Sequence, residues 1–286
     1  MIAGVALASL VAAGALSAIT VGGVERTYQL YVPDGAAAKA PLVVVLHGRL
    51  GSAEQVRRHA GFDDEARKRG ALVLYPNGID RRWNDLRQLT LEPSKRFAGA
   101  DDVGFVLALV DRLIAEGTVD PARVYVAGHS NGGFLALTLA CTHAERFAGV
   151  GVVAATLPKT ACALGRPLPL MLFHGTADPL VPFAGGGVGR KGARGLVRGN
   201  AETAQLFADQ AGCQLALRRA PIDRDAKDGT AVVVEERAGC AVPVVNVIVE
   251  GGGHGWPGRP PKLSDATREI DATAWLAAFF LEGKLP

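Results

Sequence analysis

The residues best suited to chemistry are a serine set between glycines, Gly128-His129-Ser130-Asn131-Gly132, and an aspartate and a histidine further along the chain. A serine hydroxyl is a weak nucleophile until a base takes its proton. On a sharp turn from strand to helix it projects above a sheet, and glycines on either side avoid collisions in the strained turn. Residues 124–127 read as a strand and 133–143 as the helix that follows. The amide-rich start of that helix would face the site and favour developing negative charge. The bland alternative is a glycine-rich turn with a structural serine.

On such a turn the chain order is serine, acid, histidine. Of the six histidines only His143, His174 and His254 follow Ser130. His143 falls in the helix leaving the turn, and His174 ends a strand in His174-Gly175-Thr176-Ala177-Asp178, where it would hold the turn carrying Asp178. His254 lies in the loop Gly251-Gly252-Gly253-His254-Gly255-Trp256, between a buried strand and the last helix. A loop there lets a ring reach over strand ends to a serine, as a general base must. Asp178 is the expected acid, because the other acidic residues weighed fall on helices or in a charged, solvated segment. Ser130, Asp178 and His254 are thus the expected catalytic residues, and activity should fall as the histidine gains a proton.

Acyl transfer needs two amide donors for the tetrahedral oxygen, one just after the nucleophile and one from the first strand-to-helix loop. These would be Asn131 and, in His47-Gly48-Arg49-Leu50-Gly51, Arg49, with Leu50 as substitute. Trp83 on a long loop and Trp256 beside the base are candidate walls of an acyl or sugar pocket; plain packing is the alternative for each.

The elements that must position these groups alternate. Residues 26–32 read as a half-exposed strand, and 41–46 as a strand buried on both faces. Helical patterns over 62–69, 103–116 and 272–281 alternate with strands at 71–75, 150–154, 169–173 and 244–250. That alternation predicts an α/β class with a mostly parallel central sheet and helices on both faces. Irregular stretches 76–100 and 182–200 are long enough to form a site, and the glycine-rich 182–200 is expected to be mobile. One domain over 19–286 is expected.

The chain has 286 residues, with 31 Lys+Arg against 28 Asp+Glu, a net charge of +3 and 49% hydrophobic residues. This is a globular composition, and its scattered basic residues lack the stripe of a nucleic-acid-binding protein. No metal or cofactor is implied. Before Glu25 there is no charged side chain. The apolar run that follows Met1 predicts a signal peptide over 1–18, cleaved after Ala13-Gly14-Ala15 or Leu16-Ser17-Ala18, although it lacks the usual basic start. No other segment could span a bilayer. A secreted or periplasmic location follows. Cys141, Cys162, Cys213 and Cys240 allow three pairings, and consecutive pairing would suit an exported chain.

From residue 24 to 282 the chain resembles the polyhydroxybutyrate depolymerase family of esterases, α/β-hydrolases that include feruloyl and acetylxylan esterases. The resemblance rests on Leu46-His47-Gly48, Tyr75-Pro76-Asn77-Gly78, Asp101-Asp102-Val103-Gly104-Phe105, the serine turn through Gly133, His174 to Pro182, and Gly251 to Gly258 followed by Asp265-Ala266-Thr267. It implies Ser130, Asp178 and His254 as the triad and bridges Cys141–Cys162 and Cys213–Cys240. Many members have Cys where Arg49 stands. Polymer-degrading members more often have Ala or Ser at the position of Asn131, and Met at that of Phe134. These departures, and the lack of an adsorption module before Pro286, turn the expectation toward a soluble or oligomeric ester. Hydroxyalkanoate oligomers come first, with feruloyl or acetylxylan esters as the alternative. A catalytically silent binding protein of the same fold is the non-enzyme reading, disfavoured because all three triad positions are filled.

Overall fold

The computed structural model describes residues 15–92, 100–259 and 266–284. Ten strands form one sheet, in the order β1 (Leu16–Val21), β2 (Val24–Tyr31), β4 (Leu72–Pro76), β3 (Ala40–Leu46), β5 (Val119–His129), β6 (Gly149–Val153), β7 (Leu170–Gly175), β12 (Val244–Glu250), β11 (Ala231–Ala238) and β10 (Leu215–Arg218). The six strands from β4 to β12 run parallel. An antiparallel pair flanks them at each edge. The short pair β8 (Gly186–Gly187) and β9 (Leu196–Val197) gives the expected irregular stretch after residue 182 a small ladder of its own.

β3 illustrates why central strands are continuously apolar. Leu42, Val44 and Leu46 enter one core, and Val43 and Val45 the other. With both faces covered, neither register of the pleat can carry a polar residue cheaply. The first core packs α3 (Asp102–Ala115), α4 (Asn131–His143) and α5 (Asn200–Gln210) on one face of the sheet. The second packs α1 (Ala53–Ala60), α2 (Phe62–Arg69) and α6 (Ala272–Glu282) on the other.

β1 begins at Leu16, inside the stretch expected to be cleaved away, and pairs with β2 from Leu16↔Gln29 to Val21↔Val24. A cut after Ala15 would leave this ladder whole, whereas one after Ala18 would remove half of it. The rest of the expected leader, residues 1–14, lies outside the described residues, as do 93–99 of the first site-forming loop and Asp265. Disulfides join Cys141 to Cys162 and Cys213 to Cys240. Among the described residues no helix is long and apolar enough to cross a membrane.

Candidate active site

Parallel strands place the turns at their carboxyl ends along one edge of the sheet, so residues distant in sequence meet there. β7 and β12 are hydrogen-bonded neighbours, and the turns after them are laced together. The Ala177 amide donates to the Gly252 carbonyl at 2.9 Å, and the Gly251 amide to Thr176 Oγ1 at 2.9 Å. Asp178 leaves the first turn and His254 the second. His254 Nδ1 donates to Asp178 Oδ2 at 2.7 Å, and His254 Nε2 lies 2.8 Å from Ser130 Oγ. The three side chains expected to act together are thus brought into one hydrogen-bonded relay.

Ser130 has φ 52 and ψ −117 as it passes from β5 into α4. This is a strained conformation for a residue with a side chain. Its amide donates to the Val153 carbonyl and its carbonyl accepts from Phe134 N. The turn is so tight that a Cβ at Gly128 would strike the Gly132 backbone, and one at Gly132 would strike the Leu46 carbonyl.

Asp178 Oδ1 accepts from the amides of Leu180 and Val181 at 2.8 and 2.9 Å. Its burial alone would raise the carboxyl, but contacts with His174 and His254 and the Val181 amide hold it well below the usual carboxylate range. His174 Nε2 donates to the Val181 carbonyl at 3.0 Å and stands 3.5 Å from Asp178. It therefore braces the acid's turn, the role expected of it. His143 contacts Thr142 Oγ1 at the end of α4.

Two more histidines brace the site. His129 Nε2 donates to the His254 carbonyl at 3.0 Å, fixing the loop that carries the base. Burial, then the neighbouring His254, pushes His129 down to about 3, so it stays neutral. Burial likewise pushes His47 down to about 4. Neutral His47 donates from Nδ1 to the Gly48 carbonyl and accepts at Nε2 from the Gly78 amide. Neither role was visible in the sequence, because each joins a ring to a backbone atom without any characteristic spacing.

An open cleft of about 200 Å³ in front of Ser130 is walled by Trp83, Phe134, Asn131, Arg49 and Val181 among others. Trp83 is buried, with Nε1 donating to the His47 carbonyl at 2.7 Å and its ring 4.6 Å from that of His47. Trp256 does not line this cleft. Its ring is buried edge-on against Phe62 and Nε1 donates to Thr273 Oγ1 at 3.0 Å, so the plain packing alternative holds for it.

The Asn131 amide, in the first turn of α4, and that of Arg49 have no hydrogen-bond partner among the described residues. Leu50, the substitute donor, is ruled out because its amide already donates to the Arg81 carbonyl at 2.7 Å. The Asn131 side chain has a role that sequence reasoning missed. Its Oδ1 accepts from the Trp83 amide at 2.8 Å, and its Nδ2 donates to the Trp83 carbonyl at 3.1 Å and to Asp85 Oδ2 at 2.8 Å. Asp85 in turn receives two side-chain donors of Arg87, whose guanidinium lies 3.8 Å from the centre of the Phe134 ring. The two departures Asn131 and Phe134 therefore belong to one buried network that fixes the cleft wall. Among the described residues no cluster of side chains could hold a metal ion.

An alcohol oxygen, an imidazole and a buried carboxylate in line, on a mostly parallel sheet with helices on both faces, are the arrangement of an α/β-hydrolase. The chain belongs to the polyhydroxybutyrate depolymerase family of esterases: the family described as Esterase PHB depolymerase matches residues 26–184. Among its relatives, the NocK protein of Nocardia uniformis subsp. tsuyamanensis, which bears the name of an esterase, is 35% identical over 93% of this chain and 81% of its own. Feruloyl esterase C of Emericella nidulans is 27% identical over 81% of this chain and 77% of its own. In solved structures the same fold recurs in an acetyl xylan esterase from Aspergillus awamori, with TM-score 0.57, 16% identity and coverage of 84% and 94%. It recurs also in Thermogutta terrifontis esterase 2, with TM-score 0.58, 19% identity and coverage of 94% of each chain. The chain is accordingly a carboxylic ester hydrolase.

Proposed function

We propose that this esterase is a serine hydrolase that works through an acyl-enzyme, on hydroxyalkanoate oligomers or related soluble esters. The observation that carries the mechanism is the relay from Ser130 Oγ to His254 Nε2 at 2.8 Å and from His254 Nδ1 to Asp178 at 2.7 Å. His254 takes the hydroxyl proton as Ser130 Oγ bonds to the ester carbonyl carbon. The amides of Asn131 and Arg49 donate to the oxygen that becomes negative, each contributing about 3 kcal/mol to the lowered barrier. When the C–O bond breaks, the leaving alkoxide takes the proton from His254. Water then gives a proton to His254 as it attacks the acyl carbon, and when the bond from that carbon to Ser130 Oγ breaks, His254 returns the proton to the serine oxygen and the acid is released. Asp178 keeps Nδ1 protonated and stabilises the imidazolium throughout.

A fluorophosphonate probe should label Ser130, and Ser130→Ala should lower kcat by at least about 10⁴-fold. Unchanged turnover in that variant would refute the mechanism. The feruloyl esterase relative supports a second substrate reading, a phenolic ester, for which Trp83 and Phe134 offer aromatic walls. Rates on methyl ferulate, acetylated xylan and hydroxybutyrate oligomers would separate the readings. The two disulfides support an exported protein held in an oxidising compartment.

A further inference from the structure

We infer that the cleft selects esters carrying a free carboxylate, so that the hydroxyacid oligomer proposed above is taken by its charged end. The inference rests on that reading for its natural substrate, but not for its test. Four arginines, Arg49, Arg82, Arg87 and Arg194, line the cleft in front of Ser130, and no acidic side chain among the described residues lines it. Two of the four charges are already met. Arg87 is held by Asp85 at 2.7 Å, and Arg82 by Asp80 at 3.3 Å. Arg49 and Arg194 have no carboxylate partner among the described residues.

These charges share one field. Arg49 is pushed below the ordinary arginine value first by partial burial and then by Arg194, Arg82 and Arg87. A field of one sign in a cleft is what an oppositely charged ligand relieves, and guanidinium forks suit carboxylate geometry. Nor is the far wall a free-swinging surface loop. The Arg194 carbonyl accepts from Arg87 Nη1 at 3.2 Å, the Arg194 amide donates to the Val188 carbonyl at 3.1 Å, and the Leu196 amide donates to Thr90 Oγ1 at 2.7 Å. The paired arginine thus anchors the segment that presents the unpaired one. Arg190 and Lys191 on the same segment add charge of the same sign. A neutral ester, or the interior of a long polyester, would leave the two unpaired guanidinium groups unanswered.

The test uses two chromogenic esters alike in chain and leaving group: mono(4-nitrophenyl) adipate, which is anionic, and its methyl ester, which is neutral. The wild-type protein should favour the anion by about 10-fold or more in kcat/KM, chiefly through KM, at about 20 mM salt. Raising salt to about 300 mM should shrink that ratio to about threefold or less. Arg194→Gln should lower the ratio about as much, while Arg194→Lys, which keeps the charge, should retain most of it. Equal or faster turnover of the neutral ester overturns the inference and leaves the esterase reading standing. A ratio unmoved by both salt and Arg194→Gln overturns it too. If neither ester is turned over and Ser130 is not labelled by the fluorophosphonate, the mechanism itself falls and the inference with it.

Discussion

At the scale of single residues the site is held by polar side chains whose partners are backbone atoms. Asn131 is the clearest case. Its amide faces the cleft while its side chain clamps the segment carrying Trp83 and Asp85. Asn131→Ala keeps the backbone donor but strands the buried Trp83 amide and loosens Asp85, and each stranded group costs about 1–3 kcal/mol. Urea unfolding should show a loss in that range, and kcat should fall by about 10- to 100-fold as the wall shifts. A stability and kcat both unchanged would mean the clamp is idle. That Ser130, Asp178 and His254 meet was legible because few residue types suit such a relay and each stood on a turn after an apolar run. Asn131's side chain, His47 and His129 were not legible, since their partners lie 48, 31 and 125 residues away. Trp256 misled because nearness to the base in sequence says nothing about which way an indole points.

Among elements, the strands buried on both faces were read closely and the half-exposed β2 was read too, whereas the outermost β1 and β10 were not read as strands. β12 runs from Val244 to Glu250 as its pattern requires, and β3 and β4 lie within a residue of theirs. β10 is exposed at all four positions, so it has no apolar alternation to announce it. β11 follows a charged stretch, and α1, with the sequence AEQVRRHA, buries only three residues. The disulfides act at this scale, one tying the end of α4 to the loop beyond β6 and the other tying the end of α5 to the end of β11. Closing loops of 21 and 27 residues stabilises each by about 3 kcal/mol through the unfolded chain. Neither Cys213 nor Cys240 lines the cleft. The double variant Cys213→Ser/Cys240→Ser should lose about 3 kcal/mol in urea unfolding yet keep its kcat on 4-nitrophenyl butyrate at about 25 °C. A loss of kcat without a loss of stability would contradict this.

For the whole molecule, acid is the condition that separates native from unfolded chains. His47 stays neutral in the folded protein down to about 4, against an ordinary value of 6.5, and His129 down to about 3. Between pH 6.5 and those values the unfolded chain binds protons that the native one refuses, so stability is complete above pH 6.5 and falls as pH falls. Each withheld proton removes about 1.4 kcal/mol per pH unit, so His47 accounts for about 2 kcal/mol between about pH 7 and pH 5. Asp178 acts lower: its stabilisation is present above 3.8 and is lost as pH drops below it toward the depressed native value. Urea unfolding at about pH 7 and pH 5 should show His47→Gln losing about 2 kcal/mol less than wild type over that interval. An identical pH slope in the two proteins would rule out the buried ring as the cause.

The lacing of the turns after β7 and β12 divides the machinery unequally. Carboxylate and imidazole ride on the stitched turns after adjacent strands, whereas the serine oxygen arrives from β5, with β6 intervening and the His129 ring tying its turn to the loop of the base. Wear on this enzyme, by heat or by a loosened sheet, should therefore part the oxygen from an otherwise sound pair. An aged molecule would keep its acid and base in register and have nothing in reach for them to activate.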